Sequence, residues 1–187
     1  IIVSNQAGRS NILSRLEKYG VKIDSNNPKV QKILDEVKDR EFSGYTYDGA
    51  DASFELLANR LLGKLPEYLK VKSYNVSVSK SDKILTKANV VFLIDGKEIS
   101  CDGEGNGPVN ALDNAIRSNF KKVEKYYNFF ADLKLLDYKV RILNTGTEAT
   151  TRVLIESTDK TGISWFTVGV SPNIIEASFK ALIDSLD

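Results

Sequence analysis

Residues 101–116 read CDGEGNGPVNALDNAI, and the reading of this stretch decides the fold. A strand ends on alternating glycines, Gly103, Gly105 and Gly107, and Pro108 then opens a helix. Proline suits a first helical turn because its φ is fixed there and its missing N–H is not needed. Three readings fit such a turn: a phosphate cradle, a tight turn in which glycine supplies φ > 0, or a site where helix-start N–H groups hold a small carboxylate. The phosphate reading is the weakest. A dinucleotide fingerprint needs GxGxxG inside a βαβ unit, and here the spacing is GxGxG after an apparent antiparallel hairpin.

Working outward, the hairpin is legible upstream. SYNVSVS (73–79) alternates Tyr74, Val76 and Val78 with small polar residues, ANVVFLI (88–94) is a second strand, Asp95-Gly96 is a hairpin turn and KEISC (97–101) returns. The same order recurs downstream. LLDYKVRIL (135–143) alternates Tyr138, Val140 and Ile142, followed by RVLIES (152–157), the turn Asp159–Gly162, SWFTVGV (164–170) and the helical PNIIEASFKALIDSL (172–186). NALDNAI (110–116) aligns with EASFKAL (176–182), so Ala111 and Ala115 match Ala177 and Ala181. Small residues at i and i+4 let a helix lie close on a sheet. The fold class is therefore α+β: a tandem βββα duplication, with repeats at about 67–125 and 132–187. An internal repeat predicts pseudo-symmetry, and a pseudo-symmetric unit readily dimerises.

Residues 1–66 have helical periodicity instead and read as a small helical linker subdomain ahead of the 67–187 unit. SNILSRLEKYG (10–20) places Ile12, Leu13, Leu16 and Tyr19 on one face, with Ser10 as N-cap and Gly20 as the stop. NNPKVQKILDEVKDRE (26–41) carries Val30, Ile33, Leu34 and Val37 behind Pro28, and GADASFELLANRLLG (49–63) carries Phe54, Leu57, Ala58, Leu61 and Leu62. Three such helices give little core of their own and are expected to pack on something else.

Composition narrows the function. Of 187 residues 42% are apolar and 27% charged, the profile of a globular protein. The net charge is +1, and Lys+Arg against Asp+Glu stand at 10 to 9 in residues 1–66 and 16 to 16 beyond. βββα units with flanking helices suggest double-stranded RNA binding as a rival, but an even charge with no Lys/Arg cluster at either helix start argues against nucleic acid. No apolar run approaches a membrane span, and the lone Cys101 fits a reducing compartment, so cytoplasm is expected. The absence of His removes His-ligated metals and His-dependent nucleophiles. With no Met and Ile1 first, the sequence reads as part of a longer protein.

GEGNGPVNALDNAI (103–116), LLDYKVRIL (135–143), GTEATTRVLIES (146–157) and TVGVSPNIIEASFKALIDSL (167–186) together resemble the C-terminal regulatory domain of the α-isopropylmalate synthase family, most closely its citramalate synthase branch. AGRSNIL (7–13) and GYTYDGADASFELLANRLLG (44–63) resemble that branch's linker subdomains. The resemblance implies a parent acyltransferase whose barrel domain condenses acetyl-CoA with a 2-oxo acid on a divalent metal. This stretch would lack that domain, would be inactive by itself and would need no cofactor. It also implies a homodimer that binds an end-product amino acid, isoleucine or leucine, near the dimer interface. Carried over, the effector residues are Gly105, Asn106 and Gly107 in the loop; Leu135, Tyr138 and Ile142 on the following strand; Ala149 and Val153; and Pro172 in the second repeat's matching turn. A structural dimerisation module with no effector would share these residues.

Other residues carry a functional reading beside a plainer one. Asp102, Glu104 and Asp137 read as a cation site or as solvated carboxylates, Arg9 as a contact to the catalytic half or a surface residue, and Trp165 as packing. Tyr126, Tyr127, Phe129 and Phe130 read as dimer surface or core.

Overall fold

A computed structural model of the chain describes residues 5–65, 70–94, 96–120, 132–144 and 149–186. Tyr126, Tyr127, Phe129, Phe130 and Asp95 lie outside them. Helices α1 (Asn5–Lys18), α2 (Pro28–Phe42) and α3 (Asp51–Leu62) come first. Then follow β1 (Lys70–Lys80), β2 (Ile84–Ile94), β3 (Lys97–Gly105) and α4 (Pro108–Phe120). The last four elements are β4 (Lys134–Ile142), β5 (Thr151–Thr158), β6 (Ser164–Ser171) and α5 (Ile174–Asp184). Two three-stranded antiparallel sheets, β1-β2-β3 and β4-β5-β6, bear out the duplicated βββα pattern.

The repeats match down to an irregularity. β1 slips register between Val71 and Ser73 against β2, and β4 slips between Leu135 and Asp137 against β5. A bulge of one residue returns the side chain three positions on to the same face. Val71 and Tyr74 therefore both face the core, as do Leu135 and Tyr138. The helices α4 and α5 touch one another. Their alanines and Leu112, Ile116, Phe179 and Leu182 form one core with Val90, Phe92, Val153 and Ile155 of the two sheets. The Tyr74 ring, from the first repeat, lies 4.4 Å from Phe179 of the second.

The outer faces of the two sheets differ. On the first sheet Lys87 pairs with Glu104 at 3.2 Å, Lys72 pairs with Glu98, and Asn89 bonds to Ser100 and Asp102 at 2.8 Å each, a polar ladder suited to solvent. On the second, α3 lies against β6, and Val168 and Val170 join the core made by Val30, Ile33, Leu34, Phe54 and Leu57. The three helices thus do build a core, and β6 closes it. Ser53 fixes the junction: its buried hydroxyl accepts from Val168 N at 3.0 Å and donates to Asp184 at 2.8 Å.

Ser10 is not a cap, because α1 begins at Asn5. Nothing in Asn5–Arg9 breaks a helix, a nucleated helix extends readily, and Gly8 lets the chain run close to Leu34. Gly20 does end the helix, with φ +73° and its N–H bonded to Glu17.

Asp51, in the first turn of α3, pairs with Arg15 and Lys18 at 3.1 Å each. Burial pushes its carboxyl up, but Tyr19, Lys18 and Arg15 together hold it below the usual range. A depressed folded-state pKa contributes stability in full above the unfolded value of about 4, and that stability is lost as pH falls through the folded value. Denaturation midpoints are expected to drop on acidification below about pH 4, and D51N should flatten that part of the profile.

Candidate functional site at the first repeat helix

None of Gly103, Gly105 and Gly107 takes a left-handed φ, so the tight-turn reading needs correcting. The first two glycines serve close approach instead. A Cβ on Gly103 would come 2.3 Å from Ala115 N and 2.6 Å from Ala111 O, and one on Gly105 would come 2.5 Å from Ala111 N. Gly169 repeats the device, its Cβ falling 2.0 Å from Ala177 O. Glycine on the strand and alanine on the helix together let backbones meet at a distance no larger pair permits. Gly107 is different: a Cβ there would meet nothing within 4 Å.

Around Gly107 the start of α4 is open. Asn106 N–H donates to Asn110 Oδ1 at 3.1 Å, Asn114 donates to Glu104 O at 2.9 Å, and Asn119 donates to Asp102 O at 3.2 Å, which ties the helix to β3. Ala111 N–H bonds back to Gly107 O at 2.9 Å. The N–H groups of Val109 and Asn110 find no acceptor among the described residues. No acidic residue stands in this first turn. Helix-start donors of this kind favour an anion.

Thr86 adds a second polar group at the same place. It pairs with Gly105 across the sheet, so its side chain leaves the same face, beside the first turn of α4. Only 1% of Thr86 is exposed, and its Oγ1 has no hydrogen-bond partner among the described residues. A buried hydroxyl left unpaired is costly, so Thr86 is a locally unfavourable polar group beneath the first turn of α4. Beyond Thr86 the same face continues into Val78 and Ile84, both exposed, giving apolar surface next to the open helix start. Neither strand periodicity nor the glycine loop singles out Thr86; its alignment with Thr151, the same step of the second repeat, is the signal the sequence holds.

The structure divides the sequence-derived residues into two groups. Gly105, Asn106 and Gly107 stand together at the α4 start. Tyr138, Ile142 and Val153 share the inner face of the second sheet. Leu135 joins that face through the bulge, and the Tyr138 hydroxyl lies 2.8 Å from Ser178 Oγ of α5. Val153 is fully buried in the common core, while Ile142 is 67% exposed. Ala149 is half-buried ahead of β5, and Pro172 is exposed in the turn before α5. No hydrogen bond among the described residues joins the two groups.

The remaining candidates resolve quietly. Glu104 pairs with Lys87, Asp137 with Lys139 at 2.7 Å, and Asp102 accepts from Asn89. No group of three His, Cys, Asp or Glu comes together among the described residues. Arg9 bonds to Gln31 at 3.0 Å, and Trp165 donates its indole N–H to Ser185 O at 3.2 Å. Among the described residues no helix is long and apolar enough to cross a membrane.

Fold and site together define a duplicated βββα domain with one open helix start. Residues 48–187 match the LeuA allosteric (dimerisation) domain, and the chain belongs to that family. It is 46% identical over 192 residues to the (R)-citramalate synthase of Geobacter sulfurreducens and 44% identical over 191 to that of Aquifex aeolicus. The 2-isopropylmalate synthase of Aquifex aeolicus is 29% identical over 190 residues. The whole chain is covered in each match but only 36%, 35% and 33% of the respective relatives, about a third of their length.

Proposed function

We propose that the chain is the regulatory part of a citramalate synthase-like acyltransferase, one that condenses acetyl-CoA with pyruvate in isoleucine biosynthesis. It binds a branched-chain amino acid for feedback inhibition and holds the enzyme as a homodimer. The observation that carries the effector reading is the open start of α4 beside the unpaired Thr86 hydroxyl. Helix-start N–H groups receive the α-carboxylate, and apolar surface receives the branched tail. Identity falls from 46% with a citramalate synthase to 29% with a 2-isopropylmalate synthase, which favours isoleucine over a leucine-regulated parent. The divalent metal and acetyl-CoA belong, on this reading, to the parent's catalytic domain, and the chain alone is inactive. Inhibition acts by coupling: the amino acid prefers one arrangement of the dimer, and that preference reaches catalysis through the helices packed on β6.

Isothermal titration with isoleucine, leucine and valine, run beside light scattering, tests this. Isoleucine binding tightest to a dimer supports the proposal, leucine binding tightest moves the parent to 2-isopropylmalate synthase, and no binding to a folded dimer leaves a structural module. T86V separates binding from stability. Removing an unpaired buried hydroxyl is expected to raise stability by about 1 kcal/mol while weakening amino-acid binding, read by urea denaturation and titration on one sample.

A further inference from the structure

The linker helices pack on the second sheet, and the two sheets differ at the residues that receive them. Lys87 stands opposite Glu104 in the first sheet, and Arg152 stands opposite Val170 at the same step of the second. Lys87 and Glu104 form an outward salt bridge at 3.2 Å. In the second sheet valine takes the place of the acid, and the cation turns instead to the loop between α2 and α3. Arg152 Nη1 donates to Gly44 O at 3.3 Å and to the Thr46 hydroxyl. Leu143 and Val170 close on the same loop: a Cβ on Gly44 would run into Leu143 Cδ1 and come 3.6 Å from Val170 Cγ1. With φ +100° as well, Gly44 suits this socket as no larger residue does.

Strand alternation gives this contact two sides. Arg152 lies between Thr151 and Val153, both buried on the inner face, and Leu143 follows Ile142. Ile142, Ala149 and Val153 are effector residues of the sequence reading, so the strands that carry them on one face hold the linker on the other. Leu143 N–H donates to Thr150 O at 2.9 Å, which ties the two strands together at this end. A ligand lying on the exposed Ile142 therefore constrains Leu143 and Arg152 with it. The linker contact at β6 has less freedom. Ser53 holds Val168 N, but the neighbours of Val168 are pinned on α5, Gly169 by close approach and Thr167 by donating to Ala181 O at 2.7 Å. From the loop the path runs inward, because Tyr47 O accepts from Arg15 of α1 at 3.0 Å.

We propose that effector occupancy enters the linker at this joint, with Arg152 and Leu143 as positioning residues and the Ser53 contact as a fixed pivot. The inference rests on the effector reading above and names what carries its signal. An amino acid on the inner face steadies the β4–β5 end, and Arg152 passes that constraint to the loop at 43–50 and on to α1.

The test is hydrogen–deuterium exchange of the 187-residue chain without ligand, with saturating L-isoleucine and with L-leucine, beside calorimetric titration of each. The amides to follow are those of Gly44, Tyr45 and Ala50, bonded to Glu41 O, Arg40 O and Tyr47 O. The amino acid that binds is expected to slow their exchange roughly fivefold or more. R152M should lose that slowing yet still bind, its affinity moved by no more than about the same factor, as reciprocity requires. R152K should restore part of the response, and T46V, altered on the linker side alone, should weaken it. S53A should lower Tm and keep the response. A loop that stays unresponsive while the parent chain binds, a full response in R152M, or a response lost in S53A alone overturns the inference and leaves the effector reading standing. Absence of binding to the parent chain by either amino acid removes both.

Discussion

Replacing Gly169 by alanine is expected to destabilise the protein by about 3 kcal/mol or more, and G103A to act similarly through the first repeat. A single methyl group does this because of where it would sit. At Gly169 it would fall 2.0 Å from Ala177 O and 2.8 Å from Ala181 N, and at Gly103 2.3 Å from Ala115 N. These neighbours are backbone atoms of a regular helix, and no rotamer change can clear them. The helix must lift off its sheet, which loosens Leu182 or Ile116 in the core that both repeats share. Urea denaturation checks the effect through the midpoint at unchanged slope. Wild-type midpoints for both variants would show that the helices do not lie this close.

Phe54→Ala is expected to cost about 4 kcal/mol. The Phe54 ring is fully buried where α1, α3 and the segment ahead of α3 meet, with Tyr47 edge-on at 6.0 Å, Tyr19 at 6.4 Å and the Arg15 guanidinium 4.1 Å from its centroid. Its loss removes that contact set and leaves a cavity in the core that Val168 and Val170 complete. Because β6 belongs to both cores, the damage should reach the repeat unit. Tryptophan emission from Trp165, on β6, should report the same midpoint as far-ultraviolet circular dichroism if the two cores unfold together. A Trp165 transition at the wild-type midpoint, with helix lost earlier, would show them to be independent.

Much of this was legible in the residues. Period-two alternation around Tyr74 and Tyr138, glycine turns at Gly96 and Gly162, and paired alanines in the two helices are enough to point to the duplication. Those signals are local, set by side-chain alternation and φ preference. The bulges at Lys72 and Leu136 were not legible, since an extra residue leaves the composition of a strand unchanged and alters only which face follows. For the same reason, Leu135 and Tyr138, three apart, would point to opposite faces of a regular strand, and only the bulge brings them together.

The site divides in the same way. Sequence alone determined the duplicated unit, the glycine loop and the helix that follows it, because each rests on residues close along the chain. Tertiary structure decided what the glycines are for. Gly103 and Gly105 are explained by helix atoms that lie across a sheet-to-helix contact, and Gly107 by the space around it. It also decided that Thr86 stands unpaired at the α4 start and that Glu176 reaches Ser171 at the α5 start. Whether a polar group is satisfied depends on every atom within about 3 Å of it, and those atoms come from segments the chain brings together only on folding.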